Sequence, residues 1–197
     1  MNYSLRKNLS YMAMAFYRPK LIIDIFLKED SFLYSVVPLI IFTIWYEILY
    51  TLDYFIIKNP PSISLITKFF HVSNTKYAFY QIFLFPIVHI VAFIIFLGVI
   101  YAISRPLRLY KVDTVKTGIF FIFIFNTIGL LSAVVDTLNI KLQSELLLYI
   151  HPFTGIIFLA YIMEFIHKQV EINRWNSLVL CIAPLTIFLA FRVIFLG

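Results

Sequence analysis

Charge, glycine and cysteine are scarce in this sequence. Charged residues make up 13% of the 197 residues, about half of their share in a soluble domain. The single cysteine, Cys181, excludes an intrachain disulfide framework. The chain has no His-Glu-x-x-His, Gly-x-Ser-x-Gly or Cys-x-x-Cys motif and no glycine-rich phosphate loop. We therefore predict that the protein is not an enzyme and has no metal site and no bound cofactor.

Long apolar runs are abundant in the sequence. Apolar residues make up 62% of the chain and the mean hydropathy is +0.93. A hydrophobic run of about 20 residues can cross a bilayer as a helix, and a helix satisfies its own backbone groups there. These runs predict an all-α, polytopic membrane helix bundle with five transmembrane helices, at residues 32–197. The predicted spans are residues 32–57, 77–103, 117–138, 146–166 and 177–196.

Residues 1–31 are predicted to form a cytoplasmic, amphipathic segment at the membrane interface. Pro19 suits the first turn of a helix, and Lys20, Asp24 and Lys28 then lie four apart on one face. A dozen residues cannot span a bilayer, so this helix is expected to lie in the interface with its charged stripe toward water. The alternative is an N-terminal extension of the first transmembrane helix. A preceding helix is predicted from the apolar positions Leu5, Leu9, Met12 and Phe16.

Basic residues are distributed unevenly between the two sides of the predicted bundle. Of the sixteen Lys and Arg, eleven lie on the side of the N-terminus and four on the other. This bias places the N-terminus in the cytoplasm and the C-terminus outside, and a composition rich in Phe, Ile, Tyr, Lys and Asn indicates a prokaryotic cell membrane. The basic residues either fix the topology alone or also contact anionic lipid, and nucleic acid is not expected as a partner. The predicted lipid contacts are Lys20, Lys28, Arg105, Arg108, Lys111 and Lys116.

Five polar side chains are predicted inside the membrane, where such groups are functional candidates. Glu47 and Arg192 each lie about fifteen residues, or about 22 Å, past the cytoplasmic start of their helices. We therefore predict that they pair, with His151 nearby. The pair would belong to a polar cavity or proton path, or it would be a structural ion pair or two snorkelling charges. His89 and Asn126 lie near mid-membrane, where interhelical hydrogen bonding is the expected role.

Two pairs of small residues are predicted to lie where helices approach closely. Gly98 and Ala102 are four positions apart in the second span, and Gly129 and Ala133 are four apart in the third. Small residues at this spacing let two helix backbones come together.

Several stretches together resemble the Yip1 family of five-helix membrane proteins. They are the Tyr17-Arg18-Pro19 start, the amphipathic helix after it, the basic connection at residues 105–116, and the run Ile172-Asn-Arg-Trp-Asn-Ser-Leu-Val-Leu that enters the last helix. The resemblance covers roughly residues 17–197 and implies a non-enzymatic integral membrane protein. The Asp-Leu-x-Gly-Pro element of eukaryotic members is absent, so binding of small GTPases is not carried over.

Two functions are consistent with these observations. The first is a protein that organises membrane or partner proteins through its amphipathic helix and basic loop, with the lipid bilayer, an unidentified protein or further copies of itself as partners. The alternative is a small permease, or the membrane subunit of a transporter, that uses the five intramembrane polar residues as a path. A continuous polar cavity would favour the permease, and a dry interior packed with Phe would oppose it.

Overall fold

The computed structural model describes residues 5–29, 32–52, 74–105, 112–142 and 150–196, and the regular elements in these ranges are all α-helices. The all-α prediction is therefore confirmed. The helices are α1 (Leu5–Tyr17), α2 (Pro19–Lys28), α3 (Leu33–Leu52), α4 (Asn74–Ser104), α5 (Thr114–Leu142), α6 (Ile150–Val170) and α7 (Arg174–Leu196).

Helices α3 to α7 are each long and apolar enough to cross a membrane. Their outward faces are apolar as well. On α4, Phe83, Ile87 and Ile94 are 59%, 58% and 63% exposed, which suits contact with lipid tails rather than water. The prediction of an integral membrane protein with five spanning helices is confirmed at this level.

Helix α5 is the centre of the bundle. In its membrane segment 56% of the residues are buried within the protein, against 22–33% in the other four spans. It packs against α3, α4 and α6, while α7 packs against α4 and α6. The five spans therefore enclose an interior in which α5 contributes the largest share of the side chains.

The two pairs of small residues have different surroundings. A Cβ added at Gly129 would lie 2.7 Å from Cε2 of Phe42, and Ala133 is fully buried, so this pair allows the close approach of α3 to α5. Gly98 and Ala102 are exposed, and a Cβ at Gly98 would meet no heavy atom within 4 Å. The prediction for Gly98 and Ala102 is wrong within the chain, because their face of α4 points outward.

Helices α1 and α2 pack on the bundle and together form what we call the N-terminal platform. Pro19 begins α2 as predicted. Glu29 is extended after Lys28, so α2 is separate from α3 and the alternative of a continuous extension is wrong. Ile22, Ile23 and Phe26 are buried in the main core. The apolar side of α2 therefore faces α5 and α6 rather than lipid, and its placement at the membrane interface stays a prediction.

Candidate functional site

His89 and Asn126 meet in the interior of the bundle, where α4 faces α5. His89 Nε2 lies 3.0 Å from Asn126 Oδ1, and both side chains are buried. The Asn126 amide nitrogen donates to the Ile122 carbonyl at 2.6 Å, which directs the amide oxygen toward the imidazole. Because that oxygen can only accept, Nε2 is the nitrogen that carries the proton. The predicted interhelical hydrogen bonding is confirmed.

Aromatic rings surround the imidazole of His89. Phe42 and Phe85 stack on it, with ring centroids 5.2 and 5.3 Å away, and Phe93 meets it edge-on at 4.8 Å. Phe125 lies at 5.5 Å. An ordered water needs several polar partners, which phenyl rings do not supply. The described surroundings of the His89 ring are therefore mainly aromatic.

Glu47, His151 and Arg192 are the other members of the predicted intramembrane polar cluster. Glu47 lies on α3 with one carboxylate oxygen buried and without a hydrogen-bond partner in the described part of the chain. His151 and Arg192 lie on α6 and α7, but their side chains are outside the described residues. Helices α3 and α7 do face one cavity, through Tyr46 and Leu189. The pairing of Glu47 with Arg192 stays a prediction.

Hydrogen bonds from the Asn8 side chain connect α1 to the start of α3. The side chain is fully buried, and its amide nitrogen donates to the carbonyls of Leu33 and Tyr34, each at 3.2 Å. In a regular helix the Tyr34 carbonyl would accept from the N–H of residue 38. Pro38 has no N–H, so Asn8 supplies the donor that the helix itself cannot.

This relationship predicts coupling between Asn8 and Pro38. Asn8→Leu is expected to cost about 1–3 kcal/mol, because a buried carbonyl loses its partner. In a Pro38→Ala background the same change should cost less, because the N–H of Ala at position 38 can take the Tyr34 carbonyl. A double-mutant cycle of unfolding free energies in detergent micelles measures this difference. An equal cost in both backgrounds would contradict the assignment.

Lys7 connects α1 to the end of α2. Its ammonium lies 3.3 Å from Glu29 Oε2 and 5.2 Å from the ring centroids of both Tyr11 and Tyr34. Hydrogen bonding to the Tyr34 and Tyr11 hydroxyls raises the pKa of Lys7 above its ordinary value, against the opposing effect of burial. Lys7 therefore stays charged throughout the physiological range and holds the two platform helices together.

Polar contacts also hold α2 against the bundle. Asp24 accepts from Lys168 of α6 at 2.7 Å, and Lys116 of α5 donates to the Leu27 carbonyl at 3.0 Å. The sequence predicts that Asp24 lies in a charged stripe facing water. In the structure the Asp24 side chain is half-exposed and pairs with Lys168 of α6. Lys116, a predicted lipid contact, uses its ammonium to cap the end of α2.

An apolar row remains exposed along α1. Leu5, Leu9 and Phe16 are 58%, 47% and 49% exposed. At 100° per residue these three positions fall within a narrow face of the helix. Met12, grouped with them by its spacing, is buried against the bundle. The apolar stripe of α1 is thus divided between the core and a surface row.

The platform also carries exposed cations. Lys20 and Lys28, two of the predicted lipid contacts, are exposed, and so are Arg6 and Arg18. Arg105, at the end of α4, is exposed with its guanidinium carbon 4.5 Å from the ring centroid of Tyr101. Arg108 and Lys111 lie outside the described residues. Exposed apolar and basic side chains on one amphipathic segment are typical of helices that lie at an anionic membrane surface.

A cavity of about 470 Å³ lies in the half of the bundle remote from the platform, and we call it the far cavity. Its walls come from α3, α5, α6 and α7 and are mainly aromatic and aliphatic. The residues that line it include Tyr46, Phe125, Ser132, Thr154, Gly155, Ile156, Leu159, Leu185 and Leu189.

Sequence reasoning did not find the buried Asn8 contact or the far cavity. The signal for Asn8 is a proline inside the first span, which implies an unsatisfied carbonyl, but the donor could come from any neighbouring helix. The far cavity has no sequence signal, because its lining residues are typical of every span.

The chain matches no protein-family model, no curated protein and no solved structure.

Proposed function

We propose that this protein is a non-enzymatic, Yip1-like integral membrane protein that organises the membrane surface through its N-terminal platform. The observation that carries the proposal is that the platform exposes both an apolar row, Leu5, Leu9 and Phe16, and several cations. The apolar row would enter the headgroup boundary while the cations meet anionic headgroups. Each cation near the surface contributes about 1 kcal/mol.

Docking of the platform on the bundle favours this function. A free amphipathic segment loses conformational entropy when it orders on a membrane. Here Asn8, Lys7 and the Asp24–Lys168 pair already fix α1 and α2 in place. The lipid-facing surface is therefore preformed and keeps a constant orientation relative to the five spans.

The interior of the bundle supports this proposal over a permease. Phe42, Phe85, Phe93 and Phe125 pack around His89, which is hydrogen-bonded to Asn126. A path for a polar substrate needs groups that replace its hydration. Phenyl rings do not do so, and the hydrogen bond of His89 is already directed to Asn126.

Neutralising the platform cations tests the lipid role. In the variant with Arg18→Gln, Lys20→Gln and Lys28→Gln, the preference for phosphatidylglycerol over phosphatidylcholine is expected to fall strongly, since about 1 kcal/mol is lost per cation. The measurement is the relative association of spin-labelled lipids with the protein in nanodiscs at low salt. The control is Lys76→Gln, which removes an exposed cation at the other end of the bundle. An unchanged preference, with orientation in the membrane also unchanged, would reject the lipid role.

A further inference from the structure

We propose that the far cavity binds one acyl chain of a bilayer phospholipid. The cavity has the size of sites that hold small organic ligands, and its walls combine Phe, Ile and Leu side chains from four helices. It is separate from the platform, and the proposal does not depend on anionic lipid or on the proposed function.

The polar side chains at the cavity wall are already paired. Ser132 and Thr154 lie 3.0 Å apart, hydroxyl to hydroxyl, and the Tyr46 hydroxyl donates to Asp136 at 2.8 Å. Water in a cavity needs several polar partners, and an apolar cavity excludes it. Hydrocarbon is therefore the occupant that this lining favours.

The opening of the cavity faces the membrane interior. Gly155, Ile156 and Leu189 are exposed on the rim, and all three lie in helices long and apolar enough to span the bilayer. On α5 the lining runs from Phe125 to Ser132, about 10 Å along the helix axis. That length is about one third of the hydrocarbon thickness, so part of a chain aligned with the helices fits the space.

Aromatic residues place the headgroup region just beyond this space. Trp45 Nε1 donates to Thr137 at 3.1 Å, and Tyr46 lies beside Trp45 in the sequence. Trp and Tyr concentrate at the boundary between headgroups and hydrocarbon. Thr137 is five residues past Ser132, about 7 Å along α5. A phospholipid with its headgroup at the level of Trp45 would therefore extend its chain to the depth of the cavity.

Photo-crosslinking with phosphatidylcholine that carries a diazirine in its acyl chain tests the proposal. The protein is reconstituted in nanodiscs of this neutral lipid, irradiated and digested, and the labelled residues are identified by mass spectrometry. The expected labels are on Leu159 and Leu185, which line the cavity and are half-buried, in addition to lipid-facing positions such as Ile87. Labelling of Leu159 and Leu185 no higher than at the buried Phe120 would overturn the proposal.

Two glycines provide a matched pair of variants. A Cβ at Gly155 or at Gly98 would meet no heavy atom within 4 Å, so both positions have open space where a side chain would begin. Gly155→Phe is expected to reduce labelling of Leu185 about tenfold, equivalent to about 1.4 kcal/mol of chain binding, and to leave Ile87 unchanged. Gly98→Phe should leave both unchanged.

A second filling variant, Leu159→Trp, should give the same loss at Leu185 from a position one turn further along α6. Labelling of Leu185 that persists in both filling variants would show that the chain does not enter the cavity.

Discussion

Replacing Phe121 with alanine is expected to lower the free energy of unfolding by about 2–3 kcal/mol, the cavity part of the cost of removing a large buried ring. Phe121 is 1% exposed on the central helix α5. Its ring stacks on Phe96 with centroids 3.5 Å apart. The other rings within contact distance belong to Phe93, Phe125, Phe158 and Phe188. One side chain thus joins α4, α5, α6 and α7.

The loss would come from packing, since transfer from water contributes little inside a bilayer. Lipid tails are as apolar as a phenyl ring, so helix association depends on van der Waals contact and on polar groups. A void at position 121 leaves the surrounding rings without partner atoms on one side. Edge-to-face and stacked ring pairs add a further geometric preference that alanine cannot replace.

Unfolding by SDS titration in mixed micelles measures this loss, and Phe83→Ala is the matched control. Phe83 is 59% exposed on the outer face of α4, so its removal is expected to change the unfolding free energy by about 0.5 kcal/mol or less. Equal effects of the two substitutions would contradict the ring-packed interior, and with it the argument against a permease.

The contrast between Phe83 and Phe121 also shows what hydropathy could and could not predict. Both lie in apolar runs, and the runs alone placed the five spans within a few residues of the observed helices. Which Phe faces the core could not be predicted, because the outer and inner faces of a membrane helix are equally apolar. The outward direction of Gly98 was mispredicted for the same reason.

The depth of a residue along its helix predicted polar contacts in the interior better than composition did. His89 and Asn126 are each predicted to lie near mid-membrane and to hydrogen-bond between helices, and the structure joins them in one hydrogen bond. Asn8 and the buried side of α2 were not predictable, because their partners lie in distant parts of the sequence. The spacing of Lys20, Asp24 and Lys28 correctly separates the two sides of α2, but it cannot say whether protein or lipid covers the apolar side.

Phe26→Ala is expected to release the N-terminal platform while the five spans stay folded. Phe26 is 1% exposed, and its ring lies 4.6 and 5.4 Å from those of Phe123 and Phe120 on α5. Tyr34, at the start of α3, lies at 6.3 Å. Removing this anchor costs about 3–5 kcal/mol. The cost falls on the docking of α2, because the contacts among α3 to α7 do not involve Phe26.

Limited trypsin digestion in nanodiscs measures this release, since Lys20 and Lys28 lie on α2 and cleavage there requires the helix to open locally. A loss of about 3 kcal/mol raises the open population, and hence the cleavage rate, about a hundredfold. Leu21→Ala is the control on the same helix, because Leu21 is 39% exposed, and it should change the cleavage rate little.

Cleavage of both variants at the wild-type rate would mean that the polar contacts of Asp24 and Lys116 suffice to hold α2. Phe26→Ala could instead lower the SDS midpoint as much as Phe121→Ala does. That result would mean that the platform and the spans unfold as one unit, and it would contradict a platform that docks independently on a stable bundle.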